Sequence, residues 1–227
     1  MLALSRDPEK AARYAADDDL GRGLDLALSL VPHHRLESVL RNTGLVIFTP
    51  AALVAGRVEQ GLEVLEGGGF RPVFARLLLF DEALVRRVWR YQLDTFRHDR
   101  WLLILDLLEA GPSLLLLVRG PAGAGGTGTT ADRLKELKGP SDPALARPGQ
   151  LRHEMGGMNK VINLVHSAEE WSDVVRETAI LLPGPDQRAG WLAASRPGPG
   201  YFDRERWLAA CRVGERWAGV SFVHTCV

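Results

Sequence analysis

Four short apolar runs, separated by segments of helical periodicity, constrain the fold of this chain more than any other sequence feature. The runs cover residues 45–48, 72–80, 113–118 and 161–165. Each run has the length of a strand, and the segments between them place apolar residues at the spacing of a buried helix face. The order β-α-β-(α-α)-β-α-loop-β-α predicts an α+β fold, a ferredoxin-like α/β sandwich with a four-stranded antiparallel sheet.

The sequence on either side of this pattern predicts two extensions. We expect three parts: an N-terminal helical extension (1–42), a central domain (43–182) and a C-terminal extension (183–227). In the first part, Asp7-Pro8 is expected to open a helix, and the acidic run 17–19 is interpreted as a solvated break rather than a metal site. The C-terminal extension contains one predicted helix, from Asp203 to about Arg216. It is expected to pack on the domain through Trp191, Trp207 and Trp217.

Charge and composition narrow the class of protein. The chain has 28 basic and 28 acidic residues, so its formal net charge is zero. It therefore lacks the electrostatic footprint of a protein that binds nucleic acid or an anionic membrane. No signal peptide is evident, and no apolar run reaches membrane-spanning length. Two cysteines, Cys211 and Cys226, do not suggest a disulfide framework. A cytoplasmic protein without nucleic-acid or membrane partners is expected.

His166 lies at the predicted junction between the fourth strand and the following helix. Ser167 is a plausible N-cap of that helix, and Glu169 and Glu170 suit its positive end. A lone histidine is more often a packing or surface residue than a reactive one, so the sequence context must decide. The glycine-rich stretch 120–128 does not help, because it lacks the lysine of a Walker A loop and is better explained as a flexible linker.

Two segments near this histidine carry the spacing of known motifs. Asn163-Leu-Val-His166-Ser-Ala-Glu169 resembles the Asn-x-x-His-Gly-Ser-Asp motif of nucleoside diphosphate kinases, and the match continues without gaps to Arg176-Glu177. The loop Gly139-Pro-Ser-Asp-Pro-Ala-Leu-Ala-Arg-Pro-Gly-Gln-Leu-Arg152 resembles the family pattern Gly-x-Thr-(Asn/Asp)-Pro-x-x-Ala-x-Pro-Gly-(Thr/Ser)-Ile-Arg. The resemblance covers about residues 43–182 and indicates a divergent member of this family.

The resemblance implies a nucleophile and a set of phosphate ligands. In the family, the motif histidine takes a phosphoryl group from a nucleoside triphosphate and passes it to an acceptor; His166 holds its position. The loop threonine and arginine, with an arginine four residues before the loop glycine, grip the nucleotide phosphates. Ser141, Arg152 and Lys135 hold these three positions. Asn163, the motif asparagine, is likewise predicted to belong to the nucleotide-binding site.

Supporting residues, cofactor and partners also follow from the resemblance. Glu169 keeps the acid of the motif, and Trp89 and Tyr91 fall near a family tyrosine that is followed two residues on by a histidine-orienting carboxylate. These three residues are predicted to support the site. No protein ligand for a metal is predicted, because Mg²⁺ is expected to arrive with ATP or another nucleoside triphosphate. The family forms dimers and higher oligomers, so a homodimer or higher homo-oligomer is expected.

Departures from the family pattern leave the activity open. Thr49 stands where the family has a lysine, Ala51 replaces an aspartate, and the histidine-orienting acid near Trp89 and Tyr91 is missing. Loss of one preorganised donor slows catalysis by about 10²-fold or more. Three interpretations therefore remain: a slow or specialised phosphotransferase, a catalytically weak nucleotide-binding pseudoenzyme or scaffold, and an enzyme that reuses the pocket on a different substrate.

Overall fold

The structure is a computed structural model that describes residues 3–92, 98–121, 128–157, 159, 161–198 and 202–212. These residues form helices α1 Pro8–Ala15, α2 Asp18–Leu30, α3 His33–Asn42, α4 Pro50–Val54, α5 Val58–Gly67, α6 Glu82–Val88, α7 His98–Glu109, α8 Thr130–Lys138, α9 Leu151–Glu154, α10 Trp171–Leu181, α11 Gly184–Ser195 and α12 Arg204–Arg212. The strands are β1 Thr43–Phe48, β2 Arg71–Leu79, β3 Pro112–Arg119 and β4 Val165–Ser167. None of the helices in these ranges is long and apolar enough to cross a bilayer.

The four strands form one antiparallel sheet in the order β2-β3-β1-β4. This order and the flanking helices confirm the predicted ferredoxin-like α+β sandwich. The two central strands are buried on both faces, which explains their continuous apolar sequences. Leu45 and Ile47 enter the core that also contains residues of α2, α10 and α11. Val46 and Phe48 enter a second core, on the other face, with residues of α5, α9 and α12.

The N-terminal helices are joined to α10 by a buried ion pair. The Asp17 carboxylate caps α2 and accepts hydrogen bonds from the Arg176 Nε atom at 2.8 Å and the Tyr91 hydroxyl at 2.6 Å. The side chains of both Asp17 and Arg176 are only 1% exposed. Asp19 accepts a hydrogen bond from Arg87. The prediction of a solvated break at 17–19 is therefore wrong: two of its carboxylates hold helices together.

Polar contacts also dock α1 on the N-terminal end of α10. The Lys10 ammonium lies 2.6 Å from a Glu170 oxygen and 2.8 Å from an Asp173 oxygen, and the Tyr14 hydroxyl donates to Asp173. The Trp171 indole N–H donates a hydrogen bond to the Ala3 carbonyl at 2.8 Å. Residues 3–15 thus form a strap across the first turn of α10. The predicted division at residue 42 stays a prediction.

The C-terminal region contains a helix, α11, that was not predicted from the sequence. The only helix predicted there begins at Asp203, but α11 begins at Gly184 with a proline in its first turn, a position that suits proline. Gly190 allows the helix to lie close to the sheet, since a Cβ there would be 2.8 Å from a Leu117 methyl carbon. Trp191 is fully buried and Trp207 packs on the second core, as predicted; Trp217 lies outside the described residues.

Candidate active site

A cavity of about 360 Å³, here called the His166 cavity, is lined by residues of β1, β4, α1, α6–α10 and the loop before α9. It brings together six of the eight predicted site residues: Trp89, Ser141, Arg152, Asn163, His166 and Glu169. Lys135 and Tyr91 do not line it. Its remaining wall includes apolar side chains of α6 and α7, so one part of the cavity is suited to an apolar ligand group and another to a charged one.

His166 occupies the middle of β4, opposite Ile47 of β1. The predicted strand, 161–165, begins and ends too early, because the paired residues of β4 are Val165–Ser167. The imidazole is 20% exposed, and the Trp89 ring packs against it edge-on at 5.2 Å between ring centroids. Trp89 therefore contacts the histidine through ring packing, and its supporting role stays a prediction.

The helix after His166 starts later than predicted. Ser167 is not its N-cap: Ser167 belongs to β4, and Glu170 caps α10 in a reciprocal capping box with Asp173. This later start places Glu177 of α10 beside the histidine, with 2.9 Å between Glu177 Oε2 and His166 Nε2. The expectation that no acid orients His166 is therefore wrong. The signal was present in the sequence, since Glu177 ends the ungapped motif match.

Arg152 joins the two motif segments. Its Nε atom lies 3.3 Å from the Asn163 side-chain oxygen, and Nη1 donates to the Gly139 carbonyl at 2.8 Å. The side chain is mostly buried, and burial lowers the pKa of the guanidinium, which stays charged in proteins. Ser141, in the same loop, lines the cavity and is exposed. The structure thus places a buried arginine and an accessible hydroxyl near His166.

Two lysines contact Glu169, and only Lys135 was predicted from the sequence. Lys135 is 57% exposed and lies 2.7 Å from a Glu169 oxygen at the rim, outside the His166 cavity. Lys138 lines the cavity, is 6% exposed and lies 3.3 Å from the other Glu169 oxygen. Burial raises the pKa of Glu169, but the two ammonium groups outweigh burial and bring this pKa to about 2. Nothing in the motif match marked Lys138.

Thr49 and Tyr91 have local partners. The Thr49 hydroxyl donates to the Asn163 carbonyl at 2.8 Å, and this contact ties β1 to the segment before β4. The Tyr91 hydroxyl donates to Asp17, and Tyr91 does not line the cavity, so its support of His166 stays a prediction. Ala51 lines the cavity without a polar group. Thr49 and Ala51 therefore provide neither the charge of the family lysine nor that of the family aspartate.

Within the described ranges, no group of three or more His, Cys, Asp or Glu side chains is placed to hold a metal ion. The cavity carboxylates of Glu169, Asp173 and Glu177 each contact a cationic or imidazole group instead.

Comparisons with known proteins agree with the fold and the motifs. No protein-family model matches the chain. The nucleoside diphosphate kinase of Borreliella burgdorferi is 24% identical over 147 residues, which are 60% of this chain and 84% of the relative. A thioredoxin domain-containing protein 3 homolog of Heliocidaris crassispina is 26% identical over 151 residues, 65% of this chain; the chain spans only 17% of that protein's length.

A solved structure shares the architecture. It is a transition-state mimic of the nucleoside diphosphate kinase from Borrelia burgdorferi with bound vanadate and ADP, with a TM-score of 0.54 and 19% identity over 63% of this chain and 88% of the other. The sheet order and the helices on both faces define a ferredoxin-like sandwich of the kind that nucleoside diphosphate kinases adopt. In sequence and in fold, the chain is therefore similar to nucleoside diphosphate kinases.

Proposed function

We propose that this protein binds a nucleoside triphosphate through its phosphates and accepts the terminal phosphoryl group on His166. The contact between His166 and Glu177 carries the proposal. A nucleophilic histidine needs a fixed ring with one nitrogen free to attack, and the 2.9 Å contact of Nε2 with a buried carboxylate supplies both conditions.

The tautomer follows from this contact. An ionised carboxylate only accepts hydrogen bonds, so Nε2 of His166 carries the hydrogen and donates it to Glu177. The lone pair of Nδ1 then attacks the γ-phosphorus of the triphosphate. A P–N bond forms, the bond from phosphorus to the bridging oxygen breaks, and the nucleoside diphosphate leaves with that electron pair. Glu177 stabilises the positive charge that develops on the ring. A second substrate restores His166 by the reverse step.

Arg152 and Ser141 are the proposed phosphate ligands. A charged guanidinium and a hydroxyl next to the histidine suit the oxygens of a transferring phosphoryl group. The structural neighbour with bound vanadate and ADP supports a nucleotide ligand for this fold. Mg²⁺ would enter with the triphosphate and neutralise part of its charge.

A second candidate function is nucleotide binding with little turnover. The observation that favours it is at Thr49, whose hydroxyl hydrogen is already donated to the Asn163 carbonyl at 2.8 Å. Thr49 therefore offers neither the charge nor a free donor of the lysine found there in the family. On this interpretation, the cavity binds the nucleotide, and exchange between ATP and nucleoside diphosphates is slow by about 10²-fold or more.

Incubation with γ-labelled ATP and Mg²⁺, followed by an acid-lability test, examines the proposal. We expect acid-labile label on the wild-type protein and none on His166→Ala. Glu177→Gln should label at least roughly tenfold more slowly, since it removes the carboxylate that holds the tautomer. Equal labelling of His166→Ala would exclude His166 as the nucleophile. Binding of ATP by calorimetry without any label would favour the second candidate function.

We also propose that the protein self-associates, as the family resemblance implies. β2 lies at an edge of the sheet, and its Leu79 is exposed. Light scattering should give at least twice the chain mass of 24.9 kDa. A monomer at all accessible concentrations would contradict this proposal.

A further inference from the structure

Lys138 is a buried cation whose protein contacts are poor. It is the last residue of α8, and its ammonium lies 3.3 Å from a Glu169 oxygen and 3.4 Å from the Ser167 carbonyl. An ammonium has three N–H donors, and good N–H···O contacts measure about 2.7–3.2 Å. Burial lowers the pKa of Lys138, as does the nearby Arg152 charge, while Glu169 opposes both effects. Among the described residues, the partners of this cation therefore satisfy it incompletely.

Lys138 lies between two cavities. It lines the His166 cavity and a second cavity of about 290 Å³. Ser141 and Arg152, the proposed phosphate ligands, line the same two cavities. A phosphate chain that enters from the second cavity toward His166 would pass all three side chains.

Charge in this wall favours an anion. The second cavity is lined by three cations, Lys135, Lys138 and Arg152, and by two carboxylates, Glu136 and Glu169, so cations are in excess. The opposite wall, where α1 meets α10, pairs Lys10 with two carboxylates and has no such excess. An oligophosphate is therefore attracted to the Lys138 side of the cavity.

We infer that Lys138 is a phosphate ligand of this site and supplies, from the end of α8, the positive charge that is missing at Thr49. This inference rests on the proposed function. Its ligand class is a nucleoside di- or triphosphate, whose oxygens would offer the ammonium shorter contacts than Ser167 and Glu169 do. Glu169 serves as the counter-ion that holds Lys138 in place before the nucleotide arrives.

Lys135 lacks the features that mark Lys138. It is more than half exposed, and its single contact with Glu169 is already short, at 2.7 Å. Because it touches the same carboxylate, Lys135→Met is a matched comparison for Lys138→Met. Both variants remove one lysine from Glu169, but only the second removes a cation from the His166 cavity.

If Lys138 is merely structural, Lys138→Met should destabilise the fold and keep its ATP affinity. If Lys138 binds phosphate, the variant should keep its stability and lose ATP affinity. Replacing an incompletely paired buried charge by an apolar side chain of similar length is often neutral or stabilising. We therefore expect Lys138→Met to unfold at the same urea concentration as the wild type, or a higher one. At the same time it should bind ATP roughly tenfold or more weakly, because charge-assisted hydrogen bonds are lost.

Calorimetry with ATP, ADP and adenosine tests this. Lys138→Met should lose affinity for ATP and ADP but not for adenosine. Lys138→Arg should keep its ATP affinity within about threefold of the wild type. Lys135→Met should lose clearly less ATP affinity than Lys138→Met. Unchanged ATP affinity in a folded Lys138→Met variant would overturn the inference. So would an equal loss in Lys135→Met, which would assign the effect to Glu169.

A measurement on the unsubstituted protein covers the case in which Lys138→Met does not fold. Acetylation of Lys138, mapped by mass spectrometry, should be slower with ATP than with adenosine. Equal rates would overturn the inference although ATP binds. If the wild-type protein binds no ATP and takes no label from it, the proposed function fails, and that outcome is distinct from a failure of Lys138 alone.

Discussion

Replacement of Asp17 by alanine should destabilise the protein more than any comparable change on its surface. Asp17 caps α2 and forms the buried ion pair with Arg176, with both side chains 1% exposed. Among the described residues, the substitution leaves the buried guanidinium with only the backbone carbonyls of Arg87 and Val88 as acceptors. Tyr91 loses its acceptor as well.

The magnitude follows from the larger of these losses. Removal of one partner from a buried ion pair costs about 3–5 kcal/mol, because the remaining charge is uncompensated. Loss of a helix N-cap costs about 1 kcal/mol and involves the same carboxylate, so the two do not simply add. We expect a decrease in the free energy of unfolding of about 3–5 kcal/mol, a large part of the 5–15 kcal/mol typical of a domain.

Urea unfolding at pH 7, followed by tryptophan fluorescence and circular dichroism, measures this decrease. The neighbouring Asp18→Ala is the control, since Asp18 is exposed and supplies only a charge at the start of α2, for about 0.3–1 kcal/mol. The double variant Asp17→Ala/Arg176→Leu should be more stable than the sum of the single changes predicts, because no unpaired charge remains. A loss in Asp17→Ala equal to that in Asp18→Ala would refute the reasoning.

Three further predictions concern packing, pH and thiol chemistry. Gly23→Ala should destabilise the fold by about 1–3 kcal/mol, since its Cβ would be 2.7 Å from the Val175 carbonyl oxygen. Gly21→Ala, in the same helix, has open space around its Cβ and should stabilise the fold. Urea unfolding that ranks the two variants the other way would contradict this. The Glu169 carboxylate, with a pKa of about 2 against an ordinary 4.5, should stabilise the fold above about pH 4.5, and this contribution should disappear as the pH falls toward 2. Stability curves of wild type and Glu169→Gln that run parallel over this range would show that the contribution is absent. Burial raises the pKa of the Cys211 thiol to about 11, so a variant with this single cysteine should react with a disulfide reagent at pH 8 only after unfolding.

The sequence predicted the sheet well because its strands carry strong local signals. Residues 45–48 and 114–118 are continuous apolar runs, which lie within the central strands β1 and β3, respectively. The prediction of β4 was poorer, since Val161 and Ile162 are apolar but lie before the three residues that pair with β1. Hydrophobicity alone does not tell a paired strand residue from an apolar loop residue.

Helix α11 shows a second limit of local patterns. Proline and glycine are typical of loops, but at the first turn of a helix proline is favoured, and at a close contact glycine is required. Whether Gly190 breaks a helix or allows it to approach Leu117 depends on where the sheet lies. That information is not local to residues 183–198.

The candidate site was predicted residue by residue only where a motif has fixed spacing. His166, Asn163 and Arg152 were found through motifs, and the structure brings them to one cavity. Lys138 belongs to no motif, and Lys135 matched a motif position but faces the rim. Side-chain direction at the end of a short helix depends on its neighbours, so spacing did not settle which lysine enters the cavity.

The Asp17–Arg176 ion pair also affects how the chain can fold during synthesis. The two residues are 159 positions apart in sequence. At about 5–20 residues per second, a ribosome needs roughly 10–30 s to add Arg176 after Asp17. For that time α1–α3 exist without α10, and the apolar faces of α2 and α3 that later enter the core are uncovered. The nascent chain should therefore bind chaperones that recognise exposed apolar helices, and release from them should coincide with the synthesis of α10.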